Sequence, residues 1–100
     1  MILTTTNTIE DFKIIEYRGI VSGTAVNLQK MKMTFNMLKY YAGVSESISE
    51  VKEQALKQLQ ENAEKMNANA VVGIKVDIEL TTSNYVAVAV TGTAVNIIKR

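Results

Sequence analysis

Residues 70–98 read AVVGIKVDIELTTSNYVAVAVTGTAVNII, two β-type runs around a polar turn. Val72, Ile74, Val76, Ile78 and Leu80 recur at every second position, while Val71, Gly73, Lys75, Asp77 and Glu79 fall between them. A period of two puts these sets on opposite faces of a strand, one buried and one largely polar. TTSN at 81–84 supplies a polar turn, and the β-branched run 85–98 supplies a final strand, so the two strands form a hairpin.

Working back from the hairpin, residues 46–66 predict a helix. Ser47 and Glu50 have capping-box spacing, and Ile48, Val51, Ala55, Leu59 and Met66 make an apolar stripe with Ala63 beside it. Glu53 with Lys57 and Glu61 with Lys65 are i,i+4 pairs in the favourable order. Asn67 is a left-handed stop. Leu28, Met31, Phe35, Leu38 and Ala42 predict an earlier helix over 28–42, ended by Gly43. Residues 12–26 are rich in β-branched and aromatic side chains and predict a long strand, with Gly19 and Gly23 marking a bulge or bend. Residues 2–5 suit a short strand and 6–11 a polar turn.

The order strand, helix, strand, strand predicts a single α+β domain over residues 1–100. A split β-α-β unit would place an antiparallel sheet on a long helix, the last strand lying between the other two and antiparallel to both.

The pentapeptide GTAVN occurs at 23–27 and again at 92–96. A phosphate loop needs several glycines before a helix, usually with Lys, and neither copy has them. The flanks do not repeat, which argues against duplication. Two antiparallel neighbours with similar packing needs remain, the copies lying toward opposite ends of the pair. Gly23 and Gly92 then serve as close-packing sites, because glycine weakens a strand unless close approach requires it.

The chain has 100 residues, 11 Lys plus Arg and 10 Asp plus Glu, for a net charge of +1. That balance gives no footprint for nucleic acid or an acidic membrane. A domain of this size buries a thin core, which oligomerisation would supplement. With no Cys and no His, disulfides, the commonest zinc ligands and the usual nucleophile–base pairs are missing. There is no nucleotide loop either, so we expect no enzyme, and no cofactor is indicated. The start, MILTTTNTIEDF, lacks a basic segment followed by a long apolar run, and no apolar stretch approaches the ~20 residues of a membrane span. A cytoplasmic protein is expected.

Three groups invite a functional reading. Met31, Met33 and Met37 offer thioethers for Cu(I), but Met33 leaves the face of Met31, and Met is a common filler of apolar gaps. Lys75, Asp77 and Glu79 share a strand face. The two carboxylates, ~7 Å apart by strand rise, would hold a hard cation or make a salt-linked subunit contact, and a merely solvated face is commoner. Glu16 and Arg18 share a face that Tyr17 does not. They would clamp a ligand or form a cross-strand ion pair with Tyr17 packed behind. No residue set is assigned to a metal.

TTTNTIEDFKIIEYRGIVSGTAV at 4–26, NANAVVGIKVD at 67–77 and VTGTAV at 90–95 resemble the YbjQ-like family, small proteins labelled as putative heavy-metal-binding. The likeness covers nearly the whole chain. Relatives often have Gly where this chain has Asn67, and an Arg-containing GGRS segment where it has YAGVSESI. The resemblance implies a dodecin-like fold and a ring-shaped homo-oligomer, a pentamer. It leaves two expectations: a non-enzymatic oligomeric scaffold or small-ligand-binding protein, or a protein binding metal through oxygen ligands at a subunit interface.

Overall fold

A computed structural model describes the backbone of residues 1–28, 37–80 and 85–100, with the side chains of 1–26, 48–79 and 86–100. Strand β1 spans Ile2–Leu3, β2 Phe12–Leu28, helix α1 Met37–Lys65, β3 Ala70–Leu80 and β4 Tyr85–Lys99. One four-stranded sheet has the order β1-β3-β4-β2. As expected, β4 lies between β3 and β2 and runs antiparallel to both. The short β1 adds parallel to β3 through Ile2–Ala70 and Leu3–Val71, so the sheet is mixed rather than wholly antiparallel.

The helix differs most from expectation. It runs unbroken through Gly43, and Ser47 lies inside it rather than at its start. A glycine in a helix interior costs only ~1 kcal/mol against alanine, which the docking of one long stripe outweighs. A capping box can satisfy only the free amides of a first turn, and residue 47 is ten positions past Met37. Leu28 closes β2 instead of opening a helix, whereas Leu38 and Ala42 do lie in α1. Met31, Met33 and Phe35, and the turn at 81–84, fall outside the described residues.

Val51, Ala55, Leu59 and Ala63, each four residues after the last, are wholly buried against the sheet, with Ile48 and Met66 partly buried. Their targets are Val21 of β2, Val86, Val88, Val90 and Ala94 of β4, and Val71 and Ile74 of β3. Asn67 adopts φ 61° and stops the helix as its residue type suggested.

The alternation in β3 holds only after Gly73. There φ is +62° and the register with β4 shifts between Val72 and Lys75. One extra residue in the strand inverts every side chain before it. Val71 therefore joins Ile74 in the core under the helix, while Val72 turns to the other face. With Ala70, Val95 and Ile97 it makes a second small core, covered by Ile9, Phe12 and Ile14.

Strand β2 carries two further irregularities, at Ile14/Glu16 and Tyr17/Gly19, the second at Gly19 with φ +127°. Gly23 sits in regular ladder opposite Val90, so it marks no bulge.

Candidate functional site

The GTAVN copies lie either side of the Ser22–Thr91 pair. Gly23 faces Val90 one step beyond it, and Gly92 faces Val21 one step before. Both glycines are buried. A Cβ at Gly23 would collide with the Ala55 carbonyl oxygen and come within 2.6 Å of the Leu59 nitrogen. A Cβ at Gly92 would meet Val71 Cγ1 at 2.7 Å, with Ile74 Cγ1 and the Val72 carbonyl oxygen at 3.1 Å. The same five letters thus face the backbone of α1 in one copy and the bulged β3 in the other.

Glu16 and Arg18 do meet, at 3.3 Å, but along one strand rather than across two. Arg18 Nε donates to Asn96 Oδ1 at 2.6 Å, and Asn96 Nδ2 donates to the Asn67 carbonyl at 2.9 Å. Arg18 is the extra residue of the second β2 bulge, and its guanidinium ties that bulge to β4 and to the helix exit. Tyr17 is not packed behind the pair; it is 70% exposed. Bulges on either side remove it from the regular pleat and aim it into solvent.

Lys75, Asp77 and Glu79 stand opposite Thr91, Ala89 and Ala87 of β4, on the sheet face away from α1, and all three are exposed. Beside them is a shallow cleft of about 240 Å³, floored by Ala87 and Ala89 and walled by Thr24 and Val26 on one side and Asp77 and Glu79 on the other. Asn96, the partner of Arg18, lies five residues along β4 from Thr91, the partner of Lys75, which is about 17 Å of strand. The two charged trios are therefore separate. A second shallow cleft of about 520 Å³ lies by the first trio, between Thr8–Ile14, Tyr17 and Arg100.

The donor set fits a soft heavy metal poorly. Cys and His are absent from the sequence, and among the described residues no three carboxylates gather. A hard cation on Asp77 and Glu79 would need oxygen ligands from elsewhere, such as another copy.

Sequence reasoning missed the polar side chains that hold the strands' ends and edges. Asn69 pairs with the Ile97 backbone in both directions, donating to its carbonyl at 2.9 Å and accepting from its amide at 2.7 Å. Gln58 Oε1 accepts from the Thr24 amide at 2.6 Å, and Asn62 Nδ2 donates to the Ser22 carbonyl at 2.8 Å. One signal was available: Asn is depleted in strands, so Asn96 inside a Val/Ala/Ile run announces a specific hydrogen bond.

Among the described residues no helix is long and apolar enough to cross a membrane. A family model described as "Putative heavy-metal-binding" matches residues 1–98. A UPF0145 protein of Bacillus cereus is 40% identical over 97% of this chain and 100% of its own length. One from Acetivibrio thermocellus is 35% identical over 95% and 97%. In fold, the chain is similar to a crystal structure of a DUF74-family protein of unknown function from Pediococcus pentosaceus. That likeness has a TM-score of 0.73 at 17% identity and covers 98% of each chain. On the strength of the near-complete family match and these relatives, the chain belongs to the YbjQ family of UPF0145 proteins.

Proposed function

We propose that this protein is a non-enzymatic homo-oligomer, a single-domain ring subunit that binds a small ligand or serves as a scaffold in the cytoplasm. Surface carries this reading. The chain exposes 7116 Å², whereas a compact monomer of its mass exposes ~5,600 Å². Its radius of gyration is 16.6 Å over extents of 56 × 23 × 16 Å, against ~13 Å for a compact domain of this length. Ile20 and Val26 stand 84% and 60% exposed on the face away from the helix. A long thin slab with apolar residues outside is what a subunit looks like without its neighbours. The resemblance supports five subunits. Light scattering at micromolar concentration tests the reading: a mass several times 11 kDa is expected, and a mass near 11 kDa overturns it.

A second reading, metal binding through oxygen ligands shared between subunits, draws on the family description and on Asp77 and Glu79 lining one cleft. It requires that a divalent hard cation bind the assembled protein and that Asp77→Asn abolish binding. Tight Zn(II) or Cu(I) binding that survives this change would contradict it.

A further inference from the structure

We propose that the uncovered edges of β2 and β3 are two halves of one interface, so that β3 of one copy adds in parallel to β2 of the next and the sheet continues around the ring. This rests on the homo-oligomer reading above and says which surfaces build it.

Hydrogen-bond parity leads to it. The Thr24 amide and the Ser22 carbonyl are held by Gln58 and Asn62 of α1, so even-numbered residues of this run turn their backbone groups away from β4. Val26 therefore points outward. On the opposite edge the Ile74 amide donates to the Thr4 carbonyl, and alternation carries the outward set on to Val76, Ile78 and Leu80. Beyond Ile74 this edge has no partner among the described residues.

The faces select the direction. On β2 the outward-bonding residues Thr24 and Val26 carry side chains on the face away from the helix. On β3 the outward-bonding Val76 and Ile78 carry theirs on the helix face. Antiparallel pairing would align these two sets and put neighbouring helices on alternate sides. Parallel pairing aligns Val26 with Glu79 of the next copy, outer face with outer face and every helix on one side. A rotation axis along the strands demands that arrangement, and head-to-tail contacts of this kind form a ring when the rotation closes and a filament when it does not. Within one chain Val26 and Glu79 already stand level, both opposite Ala87. Three bonds follow: the neighbour's Ile78 amide to the Thr24 carbonyl, the Val26 amide to the neighbour's Ile78 carbonyl, and the neighbour's Leu80 amide to the Val26 carbonyl.

The symmetric alternatives are worse. β3 against β3 about Ile78 sets Asp77 opposite Glu79 twice, and like charges directly opposite are destabilising. β2 against β2 about Val26 loses both Thr24 amides to Gln58, where the parallel contact loses one, and it leaves the β3 edge bare.

Cysteines at two positions of this cysteine-free chain test the pairing. In one chain residues 26 and 79 lie two strand spacings apart, ~9–10 Å, too far for a disulfide. Oxidised Val26→Cys/Glu79→Cys should give a covalent ladder reaching the parent's subunit number, persisting on dilution, while each single variant stays one chain. Disulfide dimers from either single variant, or no ladder from an assembled double variant, overturn the pairing while leaving the oligomer reading intact. A parent mass near 11 kDa overturns both. As a second measurement, Ile78→Pro removes an outward donor that β4 does not use. It should yield a folded, lighter species by circular dichroism and light scattering, whereas Ile78→Ala should assemble. An Ile78→Pro protein with the parent's mass overturns the proposal.

Discussion

The two ends of the sheet are built from the same three long strands and differ in how their edges are closed. At the end holding Ala70, Val95 and Phe12, the β3 edge is tied, although this end has a cleft of its own beside Tyr17. The Thr4 amide donates to the Val71 carbonyl at 3.0 Å, and the Gly73 and Ile74 amides donate to the Thr6 and Thr4 carbonyls at 2.8 and 3.1 Å. The Arg100 amide closes onto the Asp11 carbonyl at 2.8 Å, and residues 9–14 cover the small second core. At the other end, past Ser22 and Lys75, the outer face carries a shallow cleft, Val26 is exposed and the β3 edge is bare among the described residues. Unpaired edges invite pairing with other chains, and proteins normally blunt them. Here Gln58 and Asn62 blunt β2 only at Ser22 and Thr24. Under the proposed pairing, the β3 edge is closed within the chain at one end and by a second copy at the other.

Substitutions in each region test that contrast. The largest effect is expected midway, where the ends share a core: Gly23→Val puts a side chain into the Ala55 carbonyl and the Leu59 backbone, which cannot move without the helix. It should cost at least ~3 kcal/mol in denaturant unfolding, the top of the overpacking range. Gly92→Val is met first by the Val71 side chain rather than by helix backbone, and should cost ~1–3 kcal/mol. Equal stability of both variants and parent would remove the packing account of GTAVN.

At the sealed end, deleting residues 1–6 removes the β1 pairing with β3 and three backbone hydrogen bonds beside it. The expected loss is about 2–4 kcal/mol at ~0.5–1.5 kcal/mol each, together with aggregation as the β3 edge opens along its length. A truncated protein as stable and soluble as the parent would show that the two ends do not differ as described.

Smaller effects belong to the polar ties. Asn96→Ala leaves Arg18 and the Asn67 carbonyl without their partner and should lower stability by ~1–2 kcal/mol. Asn67→Gly relieves a left-handed residue at φ 61° and should raise stability by up to ~1 kcal/mol, read as a higher urea midpoint. A destabilised Asn67→Gly protein would mean that the Asn67 side chain does more than permit the turn.

The strands, their order and the buried stripe from Val51 to Ala63 were legible because periodicity reports which face meets a core. Gly43 and Ser47 misled because stop and start residues act only where amides or carbonyls are free, which local sequence does not reveal. The inverted face of Val71 and Val72 was hidden in Gly73: a period-two pattern cannot register an inserted residue when both faces are apolar there. Of the candidate site, the charged face of Lys75, Asp77 and Glu79 could be read from spacing. The Arg18–Asn96–Asn67 tie could not, since it joins residues up to 78 positions apart.

Amide hydrogen exchange across a dilution series reads the proposed strand pairing amide by amide. In the assembled protein the outward amides of Val26 and Ile78 should be protected as well as that of Ile74, and should lose that protection on dilution while Ile74 keeps it. Fast exchange at Val26 and Ile78 at every concentration, in a protein whose mass is several times 11 kDa, would contradict the account.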